Sequence, residues 1–155
     1  MCHYGAIELS YDIVELLRVI KEIAFKSGNK KYNHQSAYFS LKSVVNIRQE
    51  ENKSATANYK RFINAMDVCE VQFGPVIPQE IVDKVENYEL MDEEQQEETE
   101  EAEKQKFAAL AFLEGANRTK FGKVIQELNN AFVKGATHYP ENVEDALQML
   151  TEWAN

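Results

Sequence analysis

Apolar residues recur at helical spacing through most of the chain, and short polar segments separate one run from the next. Between Asp12 and Gly28 the spacing is i, i+3, i+4, which predicts an amphipathic helix whose stripe faces a core. Asp12 followed by Glu15 is typical of a capping box, and Gly28 is typical of a helix end. The apolar positions of this run are Ile13, Leu16, Leu17, Ile20, Ile23 and Ala24.

The next two runs predict a pair of helices joined by a polar corner. The first covers residues 34–51, with β-branched residues near its end that weaken a helix. Ser54 is the predicted N-cap of the second, and Gly74 ends it. The expected inner positions are Ala37, Tyr38, Leu41, Val44, Val45 and Ile47 in the first helix, and Tyr59, Phe62, Ile63 and Met66 in the second, with Val68 and Cys69 as further candidates.

Residues 78–91 predict a short helix with Ile81, Val82, Val85 and either Leu90 or Tyr88 inward. The following run, 92–106, has almost no apolar side chain, so it is either a solvated helix or a partly disordered acidic linker, with a functional acidic arm as a third interpretation. A pair between Glu100 and Lys104 would support the helix. We expect a helix to emerge from this run and to end at Gly115.

Two capped helices are predicted for the rest of the chain. Asn117 and Gly135 bound the first, and Asn142 with Asp145 opens the second. Their expected core positions are Phe121, Val124, Ile125, Leu128 and Phe132, then Val143, Ala146, Leu147, Leu150 and Trp153.

The pattern therefore predicts an all-α fold of six to seven short helices, in one bundle or in two small lobes. The predicted division is a helical lobe at 1–90, an acidic linker or solvated helix start at 91–106, and a three-helix lobe at 107–155. The net charge follows a similar division. Residues 1–70 carry +2, residues 71–106 carry −9 and residues 107–155 carry −2, so the middle segment alone accounts for the chain's total of −9. An acidic chain argues against strong, diffuse nucleic-acid binding but leaves room for a basic face on the first half.

Candidate chemistry is sparse. Cys2 and Cys69 are too few for a disulfide framework or a zinc knuckle, and Cys69 is a predicted core residue. The sequence has no Gly-rich phosphate loop and no H-E-x-x-H or G-x-S-x-G motif, and its histidines lie far apart. We therefore predict no enzyme, and no catalytic, cofactor, metal or small-molecule site. No apolar run approaches the roughly 18 residues of a membrane helix, and no signal peptide is visible, so the expected location is cytoplasmic, without a membrane partner.

One constellation stands out, in "IRQEENKSATANYKRF". It places Gln49 in a polar turn, Ser54 at an N-cap, and Tyr59 and Phe62 on an amphipathic helix beside two basic residues. One interpretation is an ordinary corner between two helices. The other is a polar corner that fixes the packing of two helices used in assembly.

The run "LKSVVNIRQEENKSATANYKRFINAMDVCE" resembles the capsid region of Gag from LTR retrotransposons. In that family a long helix ends in a Gln-containing turn, and a Ser-initiated helix with inward Tyr and Phe follows. "FAALAFLEGANRTKFGKVIQELNNAFVKGATHYPENVEDALQML" is similar to the C-terminal part of copia-type Gag proteins. The matching positions are Leu110 to Leu113, Phe121-Gly122-Lys123 and Tyr139-Pro140.

The resemblance covers roughly residues 13–155 and implies a retroviral-capsid-like fold. It implies a structural subunit that self-assembles and helps to enclose element RNA. The chain departs from a complete Gag because it has no C-x2-C-x4-H-x4-C knuckle and no protease or polymerase motif. RNA contact would then be weak and electrostatic. The candidates for it are Lys30, Lys31, Arg48, Lys53, Lys60 and Arg61.

The sequence also indicates one further position and one alternative function. Gly122 is a small position where another helix could approach closely. The alternative function is a helical protein–protein interaction module of a cellular protein, including a domesticated Gag, with the acidic run as a spacer.

Overall fold

The structure, a computed structural model, describes residues 13, 15–21 and 33–155. The chain divides into two compact units, Met1–Tyr38 and Phe39–Asn155. Every regular element in the described ranges is helical, and no strand occurs there. This confirms the predicted all-α class and its six to seven helices.

In the first unit, residues 13 and 15–21 are helical, and Arg18 forms an ion pair with Glu15 at 2.5 Å. The predicted core-facing stripe is wrong for four positions, because Ile13, Leu16, Leu17 and Ile20 are each more than half exposed. Helical spacing predicts the helix but not what covers its apolar face. The other positions of that prediction, Asp12, Ile23, Ala24 and Gly28, lie outside the described residues.

Six α-helices and one 3-10 turn are described after residue 32. Helix α1 crosses the boundary between the units, and the others belong to the second. Their bounds are α1 Asn33–Val45, α2 Ala55–Phe73, α3 Gln79–Asp83, the 3-10 turn Tyr88–Leu90, α4 Glu93–Glu114, α5 Arg118–Val133 and α6 Val143–Ala154.

Helix α1 ends earlier than predicted. The backbone leaves the helix after Val45, and the N–H of Gln49 donates to the carbonyl of Gly115 at 2.8 Å instead of to its own helix. The Arg48 guanidinium donates to the carbonyls of Val45 and Ile47, at 2.8 and 3.1 Å. The helix end is therefore satisfied by a side chain, and the β-branched Ile47 beyond it lies in a loop.

Side-chain N-caps begin four of the helices. Ser54 accepts from Ala57, Asn117 from Lys120 and Asn142 from Asp145, and Asp92 forms a capping box with Gln95. Each such cap contributes about 1 kcal/mol. The acidic run is therefore the first part of a 22-residue helix and not a disordered linker.

Helix α6 is the centre of the second unit, because it packs against α2, α4 and α5. The core contains Phe62 from α2, Phe112 from α4 and Leu150 from α6, each at most 1 % exposed. Cys69 is buried, as predicted. Residues from both sequence-predicted lobes, 1–90 and 107–155, thus share one core, and the division into units falls at residues 38 and 39.

Several predicted inner positions are at the surface. Phe132 is 58 % exposed and Trp153 is 40 % exposed, because the last turns of α5 and α6 extend past the core. Of the two candidates at the end of the fourth predicted helix, Tyr88 is half-buried and Leu90 is 84 % exposed. The remaining exposed members of the predicted stripes are Tyr38, Leu41, Val45 and Val68.

Candidate functional site

The loop between α1 and α2 docks on the junction between α4 and α5, and Gln49 makes the contact. Its side-chain Nε2 donates to the carbonyl of Lys53 at 2.9 Å, and its Oε1 accepts from the backbone N–H of Asn117 at 3.1 Å. Together with its own N–H bond to Gly115, Gln49 satisfies three backbone groups while only 6 % exposed. We call this contact the Gln49 joint.

Gly115 allows the two loops to approach closely. A Cβ added to it would lie 2.4 Å from the carbonyl oxygen of Ile47. Its φ of −81° is ordinary for any residue, so glycine is needed here for space and not for backbone conformation. The joint therefore depends on the amide side chain of Gln49 and on the absence of a side chain at Gly115.

An aromatic cluster continues from the joint into the core. Tyr59 and Phe62 both contact Phe112 edge to face, with ring centroids 6.1 and 5.6 Å apart. The Tyr59 hydroxyl donates to Glu144 of α6 at 3.0 Å. Burial, followed by this hydrogen bond, raises the pKa of Tyr59. The ring and its hydroxyl thus connect α2 with α4 and α6.

The structure therefore places all four corner residues along one path. Gln49 makes the joint, Ser54 caps α2, and Tyr59 and Phe62 pack on Phe112. No local pattern in the sequence indicates that Gly115, Phe112 and Glu144 are the partners of these residues. One signal was available for Asn117, because the backbone N–H groups at a helix start need acceptors from elsewhere.

The predicted RNA-contact residues are not all equally available. Arg48 is engaged with carbonyls, and Arg61 lies 3.5 Å from the Glu50 carboxylate. Lys53 and Lys60 are exposed and have no ion pair in the part of the chain that the structure describes. Lys30 and Lys31 lie outside that part.

The Gln49 joint brings further basic residues to the same place. Lys120 donates to the carbonyl of Glu51 at 2.7 Å, and Arg118 pairs with Glu114. We call segments 46–61 and 114–123 together the basic corner. It holds seven basic and three acidic side chains, a net charge of +4 in a chain of −9.

A second surface feature is an apolar groove formed by α4, α5 and the loop before α6. Leu110, Phe132, Tyr139 and Pro140 line it, and its volume is about 560 Å³. The rings of Phe132 and Tyr139 lie edge to face, 6.3 Å apart. Its polar margin consists of Lys106, Asn129, Thr137 and Glu141. We call it the Phe132 groove.

Within the described ranges, His, Cys, Asp and Glu form no group of three that could hold a metal ion. Burial, together with the nearby Glu70 carboxylate, raises the pKa of the Cys69 thiol, which keeps it protonated. No described helix is both long and apolar enough to cross a bilayer.

No protein-family model, curated protein or solved structure matches the chain.

Proposed function

We propose that this chain is a structural protein that self-assembles through its helical surfaces, as the capsid region of Gag that it resembles does. The observation that carries the proposal is the Phe132 groove. Phe132 and Leu110, which both line it, are 58 % and 40 % exposed. Clustered apolar surface of this kind is unfavourable in water and is typical of interaction sites.

The occupant that we propose for the groove is a second copy of the chain. Leu110, Tyr139 and Pro140 belong to the stretch that is similar to copia-type Gag proteins, and they line the groove together. The Gln49 joint supports the same function, because it fixes helices that are distant in sequence into one unit. Repeated weak contacts between fixed units are multiplied by symmetry and by effective concentration.

Enclosing RNA is the second part of the proposal. Lys53 and Lys60 are the best placed of the candidates, because Arg48 and Arg61 already have partners within the chain. Phosphate contacts by so few lysines would be weak and would fall steeply with salt.

The test is self-association of the wild type, of Phe132→Asp and of Leu90→Asp. Leu90 is 84 % exposed and does not line the groove, so it is the matched control. Light scattering and negative-stain microscopy at rising protein concentration should show assemblies of the wild type and of Leu90→Asp. Phe132→Asp should weaken them about tenfold or more, because a carboxylate in an apolar contact is desolvated without a partner.

Thermal unfolding of the three proteins shows whether the variants remain folded. A wild type that stays monomeric at every protein and salt concentration would contradict self-assembly. That result would favour the helical interaction module of a cellular protein.

A further inference from the structure

The first half of α4 carries a concentrated negative charge. Residues 92–103 hold eight acidic side chains and no basic one. Glu97 and Glu98 are exposed and have no ion pair within the described ranges. The lysines that follow are already used, because Lys104 lies between Glu70 and Glu101 and Lys106 pairs with Glu103. Those two lysines pair with Glu101 and Glu103, so the other six acidic side chains of this segment, which we call the acidic half of α4, make no ion pair in the part of the chain that the structure describes.

The basic corner lies at the other end of the same helix. Two of its arginines are paired internally, with Glu50 and Glu114. Lys53, Lys60 and Lys123 are exposed and make no ion pair in the part of the chain that the structure describes. The Gln49 joint holds segments 46–61 and 114–123 together, so these lysines project from one structural unit.

The two charged surfaces cannot meet within one chain. Gly115 contacts Gln49, and 17 residues of helix separate it from Glu98. At about 1.5 Å per residue this is about 26 Å. The screening length at physiological ionic strength is about 8 Å, so the basic corner does not neutralise the acidic half of α4 in its own molecule.

We propose that the basic corner of one copy binds the acidic half of α4 of a second copy, so that copies associate head to tail. This inference rests on the proposed self-assembly and names the surfaces that make one contact. The two surfaces differ, so the contact is heterologous and repeats into a ring or a filament. The observation that selects a second copy is charge complementarity between two surfaces of the same chain.

The contact is weak in a single pair and sensitive to salt. Exposed ion pairs contribute little each, and like charges placed opposite one another are strongly unfavourable. Association through this contact should therefore fall as salt rises from about 0.1 M to about 1 M, where the screening length shortens to about 3 Å. An apolar contact at the Phe132 groove is not weakened by screening.

The experiment uses two charge-reversed variants of the full chain. One is Lys53→Glu with Lys123→Glu, in the basic corner, and the other is Glu97→Lys with Glu98→Lys, in the acidic half of α4. None of these side chains makes an ion pair in the described ranges, so both variants should fold, which circular dichroism verifies. Each variant alone should associate about tenfold more weakly or worse than the wild type at low salt, measured by light scattering after nuclease treatment.

An equimolar mixture of the two variants should recover association. The unchanged basic corner of the α4 variant then faces the unchanged acidic half of α4 of the corner variant, so each mixed pair regains one wild-type contact. The control is Lys21→Glu with Lys84→Glu, which changes net charge as much as the corner variant does, at exposed lysines of neither surface. It should associate like the wild type.

The outcomes separate this inference from the proposed function. Salt-insensitive association that both reversals leave unchanged and Phe132→Asp removes would overturn the inference and leave self-assembly standing. A wild type that never associates would overturn both. If the corner variant loses binding to a single-stranded RNA oligonucleotide while the α4 variant associates normally, the occupant of the corner is RNA and the inference is wrong.

Discussion

Gln49 and Asn58 are the buried polar side chains among the described residues. Gln49 provides a donor to Lys53 and an acceptor to Asn117, so its amide orientation fits both neighbours. Gln49→Ala would leave a carbonyl and an N–H unpaired in a partly buried place. We expect a loss of about 2–3 kcal/mol in the free energy of unfolding, measured by urea denaturation. Asn52→Ala, at an exposed position of the same loop, should change it by less than about 0.5 kcal/mol.

Gly115 and Gly122 should respond in opposite directions to the same substitution. Gly115→Ala places a methyl group 2.4 Å from a backbone oxygen, so the joint has to open, and we expect a loss of about 2 kcal/mol or more. At Gly122, apart from its chain neighbours and the backbone of α5, no atom of the described residues lies within 4 Å of an added Cβ. Gly122→Ala should therefore stabilise the protein by about 0.5–1 kcal/mol. Thermal denaturation of both variants measures the contrast, and equal effects would contradict it.

The sequence also predicts that another helix could approach closely at Gly122. No atom of another described helix lies within 4 Å of a Cβ added at Gly122, so none of the described helices approaches closely there.

At the scale of single residues, local signals predicted local structure. The side chains of Ser54, Asn117 and Asn142 each accept a hydrogen bond from the backbone N–H three residues later. Because both partners are close in sequence, the local sequence is enough to predict these N-caps. The Gln49 joint could not be predicted in this way, because Gly115 and Asn117 lie far along the chain from Gln49. Phe132 and Trp153 fit the apolar period but lie beyond the core, which periodicity alone does not locate.

At the scale of elements, Tyr59 makes the connection between α2 and α6 depend on pH. Its pKa is raised in the folded protein, so folding favours the protonated phenol. The contribution is fully present below about pH 10, the pKa of an exposed tyrosine, and is lost as pH rises through the higher folded value. Tyr59→Phe should lower the free energy of unfolding by about 0.5–1 kcal/mol at neutral pH, a small value because solvent screens this partly exposed hydrogen bond. The difference in stability between Tyr59→Phe and the wild type should disappear in alkali.

Denaturation curves of the wild type and Tyr59→Phe from neutral to alkaline pH measure this effect. Glu144→Gln is the control, because it keeps an acceptor for the hydroxyl and removes the carboxylate charge. Its alkaline loss should be smaller than that of the wild type. A Tyr59→Phe difference that is constant with pH would contradict the assignment.

The sequence pattern of residues 92–106 fits either a solvated helix or an acidic linker, and specific contacts in α4 explain why the helix forms. The capping box of Asp92 and Gln95 starts the helix, and Lys104 ties it to Glu70 of α2. The predicted pair of Glu100 with Lys104 is wrong. Lys104 pairs with Glu101, while Glu100 accepts from the Tyr88 hydroxyl and raises the pKa of Tyr88 to about 12. Spacing permits either glutamate, and neighbours from other elements select between them.

At the scale of the whole second unit, a single core joins helices from both sides of the acidic run. Composition changes sharply at residue 92, and such a change suggested a boundary between lobes. The boundary does not divide the core, because one helix carries the acidic residues at its start and Phe112 and Leu113 at its buried end. A change in composition along a helix marks a change in surroundings and need not mark a change of domain.

The central position of α6 also sets when the protein can fold during synthesis. Phe62 and Phe112 are made early, yet Ala146 and Leu150, which are fully buried in the same core, are added tens of residues later. At about 5–20 residues per second, the earlier helices wait several seconds with their apolar faces uncovered. The nascent chain is therefore open to chaperones until α6 has left the ribosome. The residues of the two charged surfaces, by contrast, are all synthesised before α6.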